Sequence, residues 1–345
     1  MNTNFTATFS DLLAGQEYHY RIAASNACGL ATGLDQRFWT QTFTNSVILK
    51  EYFGGRIYWG DFNNDGWIDP LALMTVYTNG DTFLFKNIAG LFTNQLHTLP
   101  RTVWGEGAWG DYNGDGRQDI LLSGISLTNY GYSAICKIFR NDGAGAFTEV
   151  DAGLPGIVRG GVAWGDFDND GELDMALCGG AYFYGPVMDP ITRIYRNDGG
   201  VFTNIGADLP AVGNASVAWG DYDNDGRLDL LLAGDTGTGC VARVYHNNDD
   251  MFTDISAGLI GVASGSVAWG DYDGDGWLDI LLAGSTNGSS DGAVCRIYRN
   301  NHDGTFTDIN ANLPGVFQGG AAWGDLDNDG LLDALLTGIV GGEFI

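Results

Sequence analysis

Residues 216–255 read SVAWGDYDNDGRLDLLLAGDTGTGCVARVYHNNDDMFTDI. The stretch opens on an apolar strand, SVAWGDY, and turns on DNDG. In LDLLLAG, Leu228, Leu230 and Leu232 fall on one face and Leu231 and Ala233 on the other. A strand apolar on both faces is buried on both faces. The alternating VARVYHN follows, then a second turn, then MFTDI. Forty residues therefore spell four short antiparallel strands.

The pattern recurs along the chain. Trp-Gly-Asp occurs at 59–61, 109–111, 164–166, 219–221, 269–271 and 323–325, in steps of 50, 55, 55, 50 and 54 residues. A period near fifty is that of a four-stranded propeller blade, where each sheet is covered by its two neighbours. The rungs of a β-solenoid are shorter, and no segment shows a helical period. The predicted fold is all-β: a β-propeller of six recognisable four-stranded blades over residues 43–345, the last incomplete. The Trp-Gly-Asp tryptophans recur once per blade, so they are expected to pack rather than to bind.

Each Trp-Gly-Asp opens an acidic loop: DFNNDGWID at 61–69, DYNGDGRQD at 111–119, DFDNDGELD at 166–174, DYDNDGRLD at 221–229, DYDGDGWLD at 271–279 and DLDNDGLLD at 325–333. Positions 1, 3, 5 and 9 offer side-chain oxygens. These are Asp61, Asn63, Asp65 and Asp69; Asp111, Asn113, Asp115 and Asp119; Asp166, Asp168, Asp170 and Asp174; Asp221, Asp223, Asp225 and Asp229; Asp271, Asp273, Asp275 and Asp279; and Asp325, Asp327, Asp329 and Asp333. Position 7 is Trp67, Arg117, Glu172, Arg227, Trp277 or Leu331, a freedom that fits a ligand using only its backbone carbonyl. Position 6 is always Gly, and position 4 always Asn or Gly, residues that tolerate positive φ. Position 8 is apolar except for Gln118, so the second blade is expected to pack least well. Oxygen donors at this spacing suit Ca²⁺, which takes six to eight of them in flexible geometry, better than the strictly octahedral Mg²⁺. The loops are shorter than an EF-hand loop and flanked by strands. Asx turns alone would not need carboxylates at four fixed positions six times over. About six structural Ca²⁺ ions are expected.

The formal charge of −27 opposes binding to nucleic acid and to anionic membranes. The metal positions hold 22 of the 43 acidic residues, so much of that charge is placed to be neutralised. No stretch is apolar and long enough to span a bilayer, and the first residues lack the basic and apolar regions of a signal peptide. Extracellular calcium modules work at roughly 10⁻⁴–10⁻³ M Ca²⁺, so a secreted or cell-surface home is expected, with any leader upstream. Cys28, Cys136, Cys178, Cys240 and Cys295 show no zinc spacing and read as buried thiols.

The loops, the LDLLLAG-type strand and the phrase IYRNDG…FT resemble FG-GAP/VCBS repeats, the blades of integrin α-subunit N-terminal propellers. The phrase stands at Phe139–Thr148, Tyr195–Thr203, Tyr245–Thr253 and Tyr298–Thr307, and weakly at Phe85–Thr93. The resemblance covers residues 43–345 and implies a calcium-stabilised propeller, usually seven-bladed. This chain departs from that in having six loops and a last blade without its IYRN and FT strands; either Thr42–Val47, which resembles an outer FT strand, completes that blade by circular closure, or the propeller is cut short. Residues 1–42 carry no repeat. Leu12, Tyr18, Tyr20, Arg21, Ala24, Asn26 and Gly29 resemble the last part of a fibronectin type III domain, with Ala14 and Gln16 where that family has Pro and Thr.

In an up-and-down blade the metal loops are 1–2 connections on one face, and the variable 2–3 connections lie on the other. The latter are 125–133, 181–192, 235–239 and 285–293. Tyr130, Tyr132, Tyr182, Phe183 and Tyr184 make two of them aromatic, which suits recognition of an extracellular protein or glycan. His19, His97, His246 and His302 sit in no catalytic pattern, and HExxH is missing. The expectation is a monomeric, non-catalytic binding or adhesion module. The alternatives are an accessory domain of a larger secreted polysaccharide-degrading enzyme, or a spacer.

Overall fold

The computed structural model describes residues 55–74, 81–128, 131–181, 189–327, 329–341 and 343–344, together with four short strands before residue 40. Those four are β1 (Glu17–Tyr20), β2 (Ala23–Asn26), β3 (Gly29–Thr32) and β4 (Gln36–Trp39). β1 pairs antiparallel with β4 and β2 with β3, as two separate two-stranded sheets. The other residues on which the fibronectin-like reading of this segment rests, Leu12, Ala14, Gln16 and Arg21, lie outside the described residues.

From Gly55 onward the described chain is β-sheet. The first blade is β5 (Gly55–Gly60), β6 (Asp69–Met74), β7 (Asp81–Ile88) and β8 (Leu91–Gln95). The second is β10 (Gly107–Gly110), β11 (Asp119–Thr128), β12 (Gly131–Gly143) and β13 (Ala146–Val150), with the short β9 (Thr102–Val103) also paired to β11. The third is β14 (Val158–Gly165), β15 (Asp174–Gly180), β16 (Ile191–Asp198) and β17 (Val201–Asn204). The fourth is β18 (Gly213–Gly220), β19 (Asp229–Asp235), β20 (Cys240–Asn248) and β21 (Met251–Asp254). The fifth is β22 (Ala263–Gly270), β23 (Asp279–Ser285), β24 (Ala293–Asn300) and β25 (Phe306–Asp308). These five blades are complete, each strand antiparallel to the next. The sixth position holds three strands, β26 (Phe317–Gly324), β27 (Asp333–Val340) and β28 (Glu343–Phe344). Thr42–Val47, the closing strand of one alternative, lies outside the described residues.

The second strand of each of the five complete blades is buried on both faces for the reason its sequence implies, while in the sixth Leu335 is 51% exposed. Leu230 and Leu232 pack with Ala176, Cys178 and Ile194 of the preceding blade. Leu231 and Ala233 pack with Ile280 and Leu282 of the following one. Full burial of such a leucine is worth roughly 1.5–3 kcal/mol, and the gain is available only with a neighbour on each side.

The tryptophans pack as expected. From Trp109 onward each lies over the Trp-Gly-Asp glycine of the blade before it: a Cβ on Gly165 would stand 2.6 Å from Trp219, and one on Gly220 the same distance from Trp269. Trp164, Trp219, Trp269 and Trp323 also stack on Tyr112, Phe167, Tyr222 and Tyr272 of the preceding loops, with interplanar angles of 9°, 13°, 10° and 9°. The position-8 leucines join this contact. In the second blade Gln118 takes that place, and its buried Oε1 has no hydrogen-bond partner. The poorer packing expected of that blade is visible in this one atom. At the two ends of the row the same surfaces are open. Trp59 and Ile68 are 52% and 58% exposed, Leu326 is 68% exposed, and nothing lies within 4 Å of a Cβ placed on Gly324.

The second blade corrects one expectation. Residues 125–133, read as a variable loop, are mostly strand: β11 and β12 run on until Thr128 pairs with Gly131. The hairpin is held on by its own pairs, Ile125 with Ala134 and Leu127 with Tyr132, and by packing of Ile125, Leu127 and Ala134 against Val103 and Val158.

Candidate metal centres

Each acidic loop links the first and second strands of its blade, and its backbone is shaped by its own carboxylates. The position-1 Asp accepts hydrogen bonds from the amides of positions 5 and 6 in all six loops. For Asp221 the donors are Asp225 and Gly226, at 3.0 and 2.9 Å; for Asp61 and Asp325 the distances are 2.8–3.1 Å. The position-5 Asp accepts from the amide of position 7 in every loop, as Asp170 does from Glu172 at 2.8 Å. Position 4 is left-handed where described: φ is 55° at Asn64, 59° at Asn169 and 58° at Asn224. The position-6 glycines have φ between 83° and 90°. The choice of Asn and Gly there follows from this geometry.

The position-9 Asp begins the second strand and is buried: Asp69, Asp119, Asp174, Asp229 and Asp279 are at most 1% exposed. Its Oδ1 accepts the amide of a third-strand asparagine, at 2.6 Å for Asn87 and 2.7–2.8 Å for Asn141, Asn197, Asn247 and Asn300. Burial pushes these carboxyls up, to about 6 for Asp119 and Asp279 and about 7 for Asp174, with Asp229 also raised. Neighbouring loop carboxylates add to the shift. A buried acid beside other acids needs a cation to stay ionised.

Three carboxylates converge within 4.8 Å in Asp166–Asp168–Asp170, Asp221–Asp223–Asp225, Asp271–Asp273–Asp279 and Asp325–Asp327–Asp333. These clusters belong to loops three to six, where position 3 is Asp. In the first two loops Asn63 and Asn113 donate their amides to Asp69 and Asp119, at 2.8 and 3.3 Å. Each amide would have to rotate to offer its oxygen to an ion. The donor set is all oxygen, crowded and anionic, and fits a hard divalent cation.

The sequence reading missed three sets of groups. The basic residue of the third strand reaches into its own loop: Arg196 Nε lies 2.8 Å from Asp168, and Lys86 Nζ 3.2 Å from Asp65. His246, which replaces that Arg, places Nδ1 3.2 Å from Asp223 and 3.3 Å from Asp229 and joins their cluster. The position-7 side chain is also engaged in two loops, where Arg117 and Arg227 bind the second oxygen of Asp115 and Asp225 at 2.5 and 2.6 Å. In the fifth loop Trp277 stacks on His302, which bonds Asp275 at 2.8 Å. Lastly, the third-strand asparagine bridges blades. Asn247 Nδ2 donates to Leu228 O of its own loop at 3.1 Å and to Phe167 O of the preceding loop at 2.8 Å. Asn141, Asn197 and Asn300 repeat the bridge. The signal for it was the invariant N of the IYRN phrase.

Of the recognition candidates, Tyr132 is 63% exposed. Tyr130, Tyr182, Phe183 and Tyr184 lie outside the described residues. Cys136, Cys178 and Cys295 are buried free thiols as expected, Cys240 is half-buried, and burial pushes the Cys136 and Cys178 thiols up to about 12.

Three comparisons bear on this arrangement. Integrin alpha-3 of Cricetulus griseus is 30% identical over 128 residues, which are 33% of this chain and 12% of the integrin. The crystal structure of the exotype rhamnogalacturonan lyase YesX superposes with a TM-score of 0.47 at 14% identity, covering 95% of this chain and 62% of the lyase. The chain thus spans less than two thirds of either relative. The FG-GAP-like repeat model matches residues 111–177, 189–232, 221–282 and 271–336, which together take in five of the six loops whole. With blades, loops and repeat coinciding over more than half of its length, the chain belongs to the FG-GAP-like repeat family.

Proposed function

We propose that this chain is a calcium-stabilised extracellular binding module that presents the face opposite its metal loops to a protein or glycan. The observation that carries this is the difference between the two ends of the blades. One end repeats the same carboxylate loop six times, with shared hydrogen bonds that fix its shape. The connections at the other end differ from blade to blade: a long hairpin in the second, a short turn after Asp235 in the fourth, and a 3-10 turn at Ser290–Gly292 in the fifth. A uniform face serves stability, and a varied one can serve recognition.

On this proposal Ca²⁺ fills the six loops and is structural. The work is non-catalytic, the propeller is monomeric, and its home is the cell surface or the extracellular space, where calcium is abundant. Closure into six or seven blades, and a fibronectin type III-like origin for residues 1–42, belong to the same proposal. An array of glycans and extracellular-matrix proteins, probed with calcium-loaded and chelated protein, tests it. Calcium-dependent capture of one class is expected. No capture by the loaded protein would leave it a spacer, and turnover of a polysaccharide by this chain would make it an enzyme.

A further inference from the structure

The inner strands of the blades pack side by side: Val267 N–H donates to Ser216 Oγ at 3.3 Å, and Ala321 N–H to Ser266 Oγ at 2.6 Å. Each runs toward its metal loop, so its start lies at the opposite face. Four of these starts carry a bulge, visible as a register shift in β14, β18, β22 and β26, and the second blade has a break between β9 and β10 at the same place. Five residues before the tryptophan stand Trp104, Arg159, Asn214, Ser264 and Gln318, all with φ between 46° and 54°. Glycine takes that conformation without strain, and indole, guanidinium and glutamine side chains rarely do. The next position shows what space alone dictates. Gly105, Gly160, Gly265 and Gly319 stand there in four blades, where a Cβ would run into the carbonyls of Ser123, Cys178, Ala283 and Thr337, while the fourth blade accommodates the small, buried Ala215. At the strained position the second to sixth blades keep different, chemically capable side chains, where the sequence of the first has Gly54. The repeated bulge imposes this conformation, and the side chains held in it are candidates for a functional role.

These side chains are accessible and organised. Trp104, Arg159, Asn214 and Ser264 are half-buried, and Gln318 is exposed. The Arg159 guanidinium lies over the Trp104 ring, 4.5 Å from its centroid, and Arg159 N–H donates to Trp104 O at 3.3 Å. Two residues beyond Trp104, Glu106 is buried and bonded to Tyr58 Oη at 2.5 Å and Arg56 at 2.7 Å, where the third and sixth blades have Gly161 and Gly320. The repeat is thus broken by polar chemistry where the first two blades meet.

We propose that the bulge residues form a saccharide-binding ring at the mouth of the propeller axis, with Trp104 and Arg159 as its anchor. This rests on the proposal that the face opposite the metal loops is the binding face. A flat aromatic surface beside amide, hydroxyl and guanidinium groups matches a ligand with apolar ring faces and a rim of hydroxyls. A purely apolar ligand would desolvate those polar groups without pairing them. Arg159 favours a carboxylated sugar, since its planar fork matches a carboxylate.

The test uses calcium-loaded full chain on an array of neutral and uronic-acid oligosaccharides, with Trp104→Gly, Arg159→Gly and a Tyr182/Phe183/Tyr184→Ser triple variant. Glycine relieves the φ at both positions, but Trp104→Gly also removes an indole packed on Val103, Ile125 and Val158, so only Arg159→Gly is expected to melt at or above the parent temperature. Each should bind at least tenfold more weakly, with Arg159→Gly losing uronides most. Undiminished binding by both glycine variants, with loss in the triple variant, would place recognition on the outer loops and overturn the ring while keeping the face. A fall in melting temperature in both would make the side chains structural. Capture of a matrix protein but no saccharide by the parent would overturn the ligand class alone.

Discussion

Replacing Gly220 with alanine puts one methyl group where the next blade's tryptophan lies. That carbon would stand 2.6 Å from Trp269 Cδ1, 2.8 Å from its Cγ and 2.9 Å from Leu278 Cδ1. Carbon atoms rest at roughly 3.5–4.0 Å, so the indole must retreat by nearly an ångström. It has little freedom to do so, being stacked on Tyr222 at 6.3 Å and packed against Phe306 at 6.1 Å. Overpacking of this kind costs about 1–3 kcal/mol, and a clamped ring argues for the upper end. At about 2 °C per kcal/mol for a large domain, melting should fall by about 6 °C. Gly324 is the same residue in the sixth blade, with nothing within 4 Å of its Cβ. Gly324→Ala should therefore change stability by no more than about 0.5 kcal/mol. Thermal and urea unfolding of both calcium-loaded variants measures the contrast. Equal destabilisation by the two substitutions would refute the blade-stacking argument.

Elemental analysis of dialysed protein should find about six Ca²⁺ per chain, loops 61–69 and 111–119 should empty first under chelator, and Asn113→Asp should tighten the second of these. Fewer than three ions would sink the assignment. Metal-free protein should melt higher at pH 5 than at pH 7.5. Asp119, Asp174 and Asp279 titrate higher in the folded chain than in the unfolded one, so their protons stabilise the fold below about pH 4 and that gain is lost as pH rises through 6–7. The loaded protein should show the opposite slope, because protons displace the ion; parallel slopes in the two forms would show that these carboxyls hold no metal. Asn247→Ala should cost about 2–4 kcal/mol in urea unfolding, since it strands the carbonyls of Phe167 and Leu228. The exposed neighbour Asn248→Ala should cost nearly nothing, and similar losses from both would show that the bridge carries no weight.

The blades and loops were legible because each rests on a local rule repeated six times. LDLLLAG announces burial on both faces, and Asn or Gly at positions 4 and 6 announces positive φ. What was not legible depends on neighbours distant in the chain. Position 4 looked like a tolerance for backbone conformation alone, yet Asn64, Asn169 and Asn224 also donate to the carbonyls of Gly116, Gly226 and Gly276 in the following loop, at 2.6–3.0 Å. His246 looked like a replaced arginine until the third strand laid it against Asp223 and Asp229. The bulges escaped notice because Trp104, Arg159 and Gln318 give no local sign of a left-handed backbone.

The asparagine bridges couple each metal loop to the one before it, since Asn247 holds Phe167 O and Leu228 O in a single grip and its own amide fixes Asp229. A loop that fills with metal therefore stiffens its neighbour's frame, and one that empties loosens it. The row behaves as a linear chain of interacting units, whose stability is a sum of unit and nearest-neighbour contributions. Calcium should enter such a row as a zipper closes, with affinity in the middle raised by occupied neighbours on both sides. Loss should begin at the first blade, where, among the described residues, Asn87 grips its own loop alone, through Ile68 O and Asp69.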